Sequence, residues 1–155
     1  CQASDTYCER KIGSSSFKLC CHSLMAQSLN EMQNAKLEKR IMDNIIENKS
    51  FEFAVRIVKL YQHLTENKKE FVMSKQLLRS GTSIGANVSE AQKGQSKADF
   101  NMKMNIALKE ANESDYWLRL LYRTDYLTKQ EFESIQKDAK EIIAILVSIC
   151  KKTNQ

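Results

Sequence analysis

The scarcity of turn-forming residues limits this chain more than any other feature. Its 155 residues include no proline and only four glycines. Sandwiches, barrels and doubly wound sheets need many tight turns, which proline and glycine usually make. With 42% hydrophobic and 28% charged residues, the chain has a globular composition rather than a disordered one. These observations predict a few long helices joined by short connections.

Hydrophobic side chains recur with helical spacing and predict four helices after a short amphipathic lead-in over residues 32–49. The polar run Asn48-Lys49-Ser50 predicts a break in which Ser50 is an N-cap. The first long helix is predicted from Phe51 to Leu64. Its predicted buried face consists of Phe51, Ala54, Val55, Val58, Tyr61 and Leu64.

The second helix is predicted to begin near Glu70 or Phe71 and to continue to about Lys93. It carries Gly81, Gly85 and Ser89 at steps of four, and small residues at that spacing allow another helix to approach closely. The same stripe is one reason to expect self-association of the chain.

Capping signals delimit the remaining helices. Gly94 suits the C′ position after the second helix, and Ser96 with Asp99 resembles a capping box for a third helix that ends near Arg123. Thr128 with Glu131 is a second capping box, and a fourth helix follows it. The predicted fold class is therefore all-α, an antiparallel up-down-up-down four-helix bundle over residues 41–155.

Residues 1–40 are predicted to form a poorly ordered N-terminal extension. Residues 1–24 lack helical periodicity, and Met25 or Met32 would be a natural start, so we interpret this segment as upstream translated sequence that folding does not need. Without it only Cys150 of the five cysteines remains, which fits a reducing cytoplasm. No run of 18 apolar residues is present, so we expect no membrane partner.

Catalytic and metal-binding patterns are weak. Cys20, Cys21 and His22 lack the spacing of a zinc site, and His63 has no nucleophile suggested by its spacing. Glu110 and Glu113, with Glu90 opposite, lack the histidines of a di-metal bundle site. We expect these carboxylates to pair with neighbouring cations such as Arg79 or Arg119, and we expect no enzymatic activity, no metal and no cofactor.

The net charge of +5 is mild, and it permits binding to nucleic acid without requiring it. A solvated helix surface and a phosphate-binding surface are both compatible with the basic residues of the second and third helices. The residues predicted to bind nucleic acid are Lys75, Arg79, Lys93, Lys97, Arg119 and Arg123.

The stretch from Ser74 to Ala91 resembles the signature of the bacterial four helix bundle protein family, also called large-subunit ribosomal RNA intervening-sequence proteins. The motif residues are Leu78, Arg79, Ser83, Ile84, Asn87, Val88 and Glu90. Later segments that begin at Ser96, Ala107 and Tyr126 resemble the third helix and last turn of that family. The resemblance covers about residues 43–153.

This resemblance implies an antiparallel four-helix bundle without enzymatic activity that assembles as a ring-like homopentamer and associates with ribosomal RNA. A similar protein, the accessory variability determinant of diversity-generating retroelements, implies a reverse transcriptase as another possible partner. The polar motif residues Arg79, Asn87 and Glu90 share roughly one helix face. They are expected to form a structural network or a subunit contact rather than a ligand site.

Overall fold

The computed structural model describes the backbone of residues 14–153 and the side chains of residues 30–153 except Ala35, Lys39 and Asp43. The chain divides into two compact units, Cys1–Ile41 and Met42–Gln155. The described helices are α1 (Ser14–Asn67), α2 (Met73–Gln92), α3 (Lys97–Arg123) and α4 (Lys129–Thr153). The predicted all-α bundle is confirmed, and the last three helices end close to their predicted bounds.

Side-chain contacts within Met42–Gln155 define the order of the helices. Gly81 and Gly85 of α2 approach Ile57 and Ser50 of α1, so residue numbers rise along α2 as they fall along α1. Pairs of contacts show the same relation for the other neighbouring helices: Ser80–Ser114 with Glu90–Lys103, Asp115–Gln136 with Tyr122–Phe132, and Lys49–Glu141 with Arg56–Asp138. Each helix therefore packs antiparallel to its neighbours in the order α1, α2, α3, α4 and back to α1.

The first helix differs from the prediction in two ways. No break occurs at residues 48–50, because α1 continues through them and the buried Ser50 hydroxyl donates a 3.0 Å hydrogen bond to the Glu47 carbonyl. The predicted buried face was also partly wrong, since Phe51 and Val58 are exposed while Leu64 is buried as predicted. Among the described side chains of α1, the buried ones are Ile46, Ser50, Phe53, Ile57, Leu60 and Leu64.

The close approach predicted for the small-residue stripe takes place within the chain. A Cβ atom added at Gly81 would lie 2.9 Å from Cγ1 of Ile57, which is closer than side chains pack. A Cβ atom at Gly85 would meet the Ser50 carbonyl oxygen at 3.6 Å, an ordinary contact. Because α1 of the same chain covers both glycines, the stripe no longer supports self-association.

A buried carboxylate organises the connection between α1 and α2. Glu70 is 6% exposed and accepts hydrogen bonds from the backbone N–H groups of Val72, Met73 and Ser74 at 2.7–2.9 Å. Burial raises the pKa of Glu70, but these donors outweigh burial and hold the pKa below its ordinary value of 4.5. Glu70 therefore caps α2, a role that its position in the sequence did not suggest.

The other helix starts follow their predicted caps. The Ser96 hydroxyl accepts a 3.1 Å hydrogen bond from the Asp99 N–H, and Thr128 exchanges hydrogen bonds with Glu131 in both directions. Gly94 occupies its predicted C′ position directly after the C-cap Lys93, but without left-handed backbone, since no glycine among the described residues has a positive φ. Its lack of a side chain instead leaves room for the Asp99 carboxylate and the Ala91 carbonyl oxygen, which a Cβ atom would meet at 3.0 and 3.1 Å.

Within the unit Cys1–Ile41, the backbone is helical from Ser14, and Met32, Leu37 and Ile41 are exposed. Residues 1–13 lie outside the described residues. The poor order and dispensability of the N-terminal extension stay predictions. No helix among the described residues has the length and apolar character that crossing a membrane requires.

Candidate nucleic-acid interface

The antiparallel order divides the predicted basic residues between the two ends of the bundle. All six side chains are exposed. Lys93 and Lys97 flank the α2–α3 connection, whereas Arg119 and Arg123 occupy the last turns of α3, about 33 and about 39 Å from its first residue. Lys75 and Arg79 lie in the first half of α2, at the same end as the two arginines but on a different helix. The six residues therefore do not form one surface within a single chain.

Two of the six residues line a common groove. This α3–α4 groove has a volume of about 470 Å³, within the range of small-ligand sites. Its lining includes Tyr116, Arg119, Tyr122 and Arg123 of α3 and Phe132 and Gln136 of α4. The groove thus combines two guanidinium groups with three aromatic rings, the side chains that recognise phosphates and unpaired bases.

The two arginines differ in how far their charge is already balanced. Arg119 Nε lies 3.0 Å from an Asp115 carboxylate oxygen, and the other oxygen of Asp115 accepts a hydrogen bond from Gln136 at 3.0 Å. Among the described residues, Arg123 forms no ion pair. Arg123 therefore offers an uncompensated positive charge at the groove, while Arg119 retains only its free guanidinium N–H groups for a ligand.

The aromatic rings of the groove have different surroundings. Tyr122 and Phe132 stack on each other across α3 and α4, with ring centroids 4.4 Å apart and an interplanar angle of 2°. Tyr116 is 52% exposed and contacts Trp117 edge to face, with centroids 5.1 Å apart. Each ring of the stacked pair has one face covered by the other, so Tyr116 is the ring with the most free surface.

A second groove, between α1 and α4, provides a comparison. It has a similar volume of about 450 Å³, and its lining includes Arg56, Lys59, His63 and Glu131. Arg56 already pairs with Asp138 and donates to the Ser134 hydroxyl at 2.8 Å. The α1–α4 groove therefore has lower net charge than its cations suggest, and no tyrosine, tryptophan or phenylalanine is among its lining residues.

The family-motif residues are not brought together into one network by the contacts of the described residues. Asn87 donates to the Ser83 carbonyl and hydroxyl oxygens at 2.9 and 3.1 Å, both within α2. The Glu90 carboxylate lies 2.5 Å from Lys103 Nζ, and this ion pair raises the pKa of Lys103. Arg79 is exposed and pairs with neither Glu90 nor any other described carboxylate.

The remaining candidate groups have structural contacts. Glu90 pairs with a cation of the neighbouring helix as expected, although with Lys103 rather than Arg79 or Arg119. Glu113 instead accepts a hydrogen bond from the Trp117 indole at 3.2 Å. His63 contacts the Asn67 side chain, and burial raises the pKa of the free Cys150 thiol. Within the described part of the chain, no three His, Cys, Asp or Glu side chains gather as a metal site would require.

Four lining residues of the α3–α4 groove were not predicted from the sequence to belong to a site: Tyr116, Tyr122, Phe132 and Gln136. The spacing of Tyr116, Arg119 and Arg123 at steps of three and four was a usable signal, because such residues share a helix face. The contribution of α4 depends on the pairing of Asp115 with Gln136 and of Tyr122 with Phe132, which no local pattern encodes.

The fold and the exposed cations place the chain among helical bundles with a basic surface. Residues 42–148 match the family of 23S rRNA-intervening sequence proteins, to which this chain belongs. The match begins at the first residue of the unit Met42–Gln155. This confirms the resemblance identified from the motif.

A solved structure provides a second comparison. It is a protein with unknown function from the S23 ribosomal protein family of Bacteroides thetaiotaomicron, with 62% sequence identity and a TM-score of 0.70. The similarity covers 71% of this chain and 98% of that one. No curated protein matches the chain.

Proposed function

We propose that the protein is a non-enzymatic RNA-binding bundle that contacts structured RNA through its exposed lysine and arginine side chains. The observation that carries the proposal is the convergence of Arg119 and Arg123 on one groove beside aromatic rings. Membership of a family named for a segment of 23S rRNA favours ribosomal RNA as the ligand. Because bacterial ribosomal RNA is cytoplasmic, the proposal includes a cytoplasmic location for this protein.

Self-association is part of this proposal, and a homopentamer is its specific form. Phe71 and Val72, which are 56% and 73% exposed before α2, provide apolar surface for a contact between copies. In a symmetric assembly each copy contributes a net charge of +5, so the electrostatic field of the assembly is stronger than that of one chain. The two ends of the bundle would then each present a ring of cations to the RNA.

The test compares double charge reversals at the two ends of the bundle. We expect Arg119→Glu with Arg123→Glu to weaken binding to a structured ribosomal RNA fragment at least tenfold and to reduce the salt slope by about two. Lys93→Glu with Lys97→Glu carries the same charge change, and we expect it to weaken binding less because neither lysine is among the residues that line the α3–α4 groove. Fluorescence anisotropy over a salt series measures both quantities, and light scattering establishes the assembly state of each variant.

Lys59→Glu is a control in the α1–α4 groove, and we expect it to change affinity by less than threefold. Absence of wild-type RNA binding at about 50 mM salt would contradict the proposed function, because phosphate contacts are strongest at low salt. Equal losses in the arginine and lysine double variants would show that charge alone, rather than the groove, determines binding.

A protein-interaction scaffold is the second candidate function. The adjacent exposed side chains Phe71 and Val72 favour it, because apolar surface of this kind suits a partner protein such as a reverse transcriptase. Binding to a protein through such a surface would depend little on salt, whereas RNA binding falls steeply with salt. Failure of RNA binding with a salt-insensitive protein contact would therefore favour the scaffold.

A further inference from the structure

We propose that the α3–α4 groove binds an unpaired nucleotide of the RNA, with its base stacked on Tyr116 and its phosphate on Arg123. This inference rests on the proposed function and specifies the class of ligand that the groove accepts. It distinguishes a site for single-stranded loops and bulges from a general surface for duplex backbone.

Aromatic exposure points to an unpaired base. A duplex presents phosphates on its outside, so a duplex-binding surface needs cations but has no use for an exposed ring. Tyr116 keeps 52% of its surface exposed in a groove that also contains Arg119 and Arg123. Bases that have left the helix stack on such rings, and every base has a face suited to this contact.

The neighbouring contacts hold the ring in place before a ligand arrives. Trp117 packs edge to face against Tyr116, and the Trp117 indole donates to Glu113 at 3.2 Å. The Tyr122–Phe132 stack provides an apolar wall at the same groove. A ring that is already oriented loses little conformational entropy when a base stacks on it.

The charges distinguish the roles of the two arginines. The Asp115 carboxylate, held by Gln136, pairs with Arg119 and lowers its attraction for a phosphate. Arg123 forms no ion pair within residues 30–153 and lies about two helical turns after Tyr116 on the same helix. That separation, roughly 10 Å along the axis, is within reach of one nucleotide and its flanking phosphate once the long arginine side chain is included.

The chain contains its own optical probe for this site. Trp117 is the single tryptophan, and it contacts Tyr116. A base that stacks on Tyr116 comes close to the indole and changes its fluorescence. We therefore expect single-stranded RNA to quench Trp117 emission in the 155-residue chain, and a blunt RNA duplex of equal charge to leave the emission unchanged.

Three variants test the assignment by anisotropy with a ten-nucleotide single strand and a blunt duplex. Tyr116→Ala is expected to weaken single-strand binding at least tenfold and to leave duplex binding within twofold. Tyr116→Phe keeps the ring and is expected to bind as the wild type does. Phe51→Ala removes an aromatic ring of α1 that is 65% exposed and lies outside the groove, and it is expected to have no effect on either RNA.

The outcomes separate this inference from the proposed function. If wild-type protein binds neither RNA at about 50 mM salt, the proposed function fails and the inference falls with it. If it binds both, while Tyr116→Ala retains wild-type affinity for the single strand, the inference alone is overturned. Circular dichroism melts confirm that each variant is folded, which the exposed position of Tyr116 favours.

Discussion

The α1–α2 interface contains glycines that allow a close approach, whereas the α3–α4 interface contains large aromatic side chains. Along α1 and α2, Gly81 and Gly85 meet Ile57 and Ser50 with no room for a further side chain at Gly81. Between α3 and α4, the rings of Tyr122 and Phe132 face each other beside a groove of about 470 Å³. Small residues let backbones approach and exclude a ligand, whereas rings near the surface leave space beside them.

The two hairpin connections share a backbone feature but differ in how the helix that follows is capped. Both turn on a residue with left-handed backbone, Lys69 with φ 53° and Asp125 with φ 61°, in a chain that has few glycines. The α1–α2 connection is then capped by the buried Glu70 carboxylate, while the α3–α4 connection uses the exposed Thr128–Glu131 box. We infer that the first hairpin is specialised for stability, and that the second keeps surface available for a ligand.

The largest expected effect is a difference in the free energy of unfolding between alanine variants at the two glycines of the α1–α2 interface. Gly81→Ala places a Cβ atom 2.9 Å from a β-branched side chain with little freedom to move, and overpacking of this kind costs about 1–3 kcal/mol. Gly85→Ala has ordinary contact distances and gains about 0.5–1 kcal/mol from helix propensity. Urea unfolding of both variants measures the difference. Equal free energies of unfolding would show that α1 shifts to accommodate the methyl group added at Gly81, and that the two helices are not closely packed there.

A smaller effect distinguishes the two caps. Glu70→Gln removes the charge that three backbone N–H groups stabilise, and we expect a loss of about 1–2 kcal/mol in the free energy of unfolding. Glu131→Gln is the matched change at the exposed cap, and we expect a loss of about 0.5 kcal/mol. Thermal unfolding at neutral pH gives both values, and a larger loss at Glu131 would reverse the proposed division between the hairpins.

The pH dependence of the same variants follows from the direction of the pKa shifts. The pKa values of Glu70 and Glu131 are both below the ordinary 4.5 in the folded protein, so each carboxylate stabilises the fold above that value. This contribution is lost as the pH falls through the lowered folded pKa. The difference in stability between wild type and Glu70→Gln should therefore shrink on acidification below 4.5, and a constant difference would contradict the role of the charge.

The remaining effect concerns the stacked rings of Tyr122 and Phe132 between α3 and α4. A double-mutant cycle of Tyr122→Leu and Phe132→Leu is expected to give a coupling free energy of about 1 kcal/mol, the usual value for an aromatic pair beyond its buried area. Tyr122→Phe is the control, because it keeps the stack. If the two single losses add to within about 0.3 kcal/mol, the rings do not hold this side of the groove.

The bounds of the last three helices could be predicted because they depend on nearby residues. Ser96 caps α3 through the N–H of Asp99, and Thr128 with Glu131 caps α4, so each signal acts over three positions. The break expected at Asn48–Ser50 was wrong because the polar character and capping preference of these residues describe only the local chain. In the bundle Ser50 is buried beside Gly85, and packing against α2 favours a continuous helix there.

The sequence by itself determined that the chain is helical, where most of its helices end and to which family it belongs, since all three are encoded in residues close together along the chain. Only the tertiary structure decided which residues of α1 are buried, Phe53 and Ile57 rather than Phe51 and Val58. It also brought Gln136 and Phe132 beside Arg119 and Tyr122. These relations depend on the antiparallel register between helices, which arises from the packing of residues far apart in the chain and not from the spacing within any one helix.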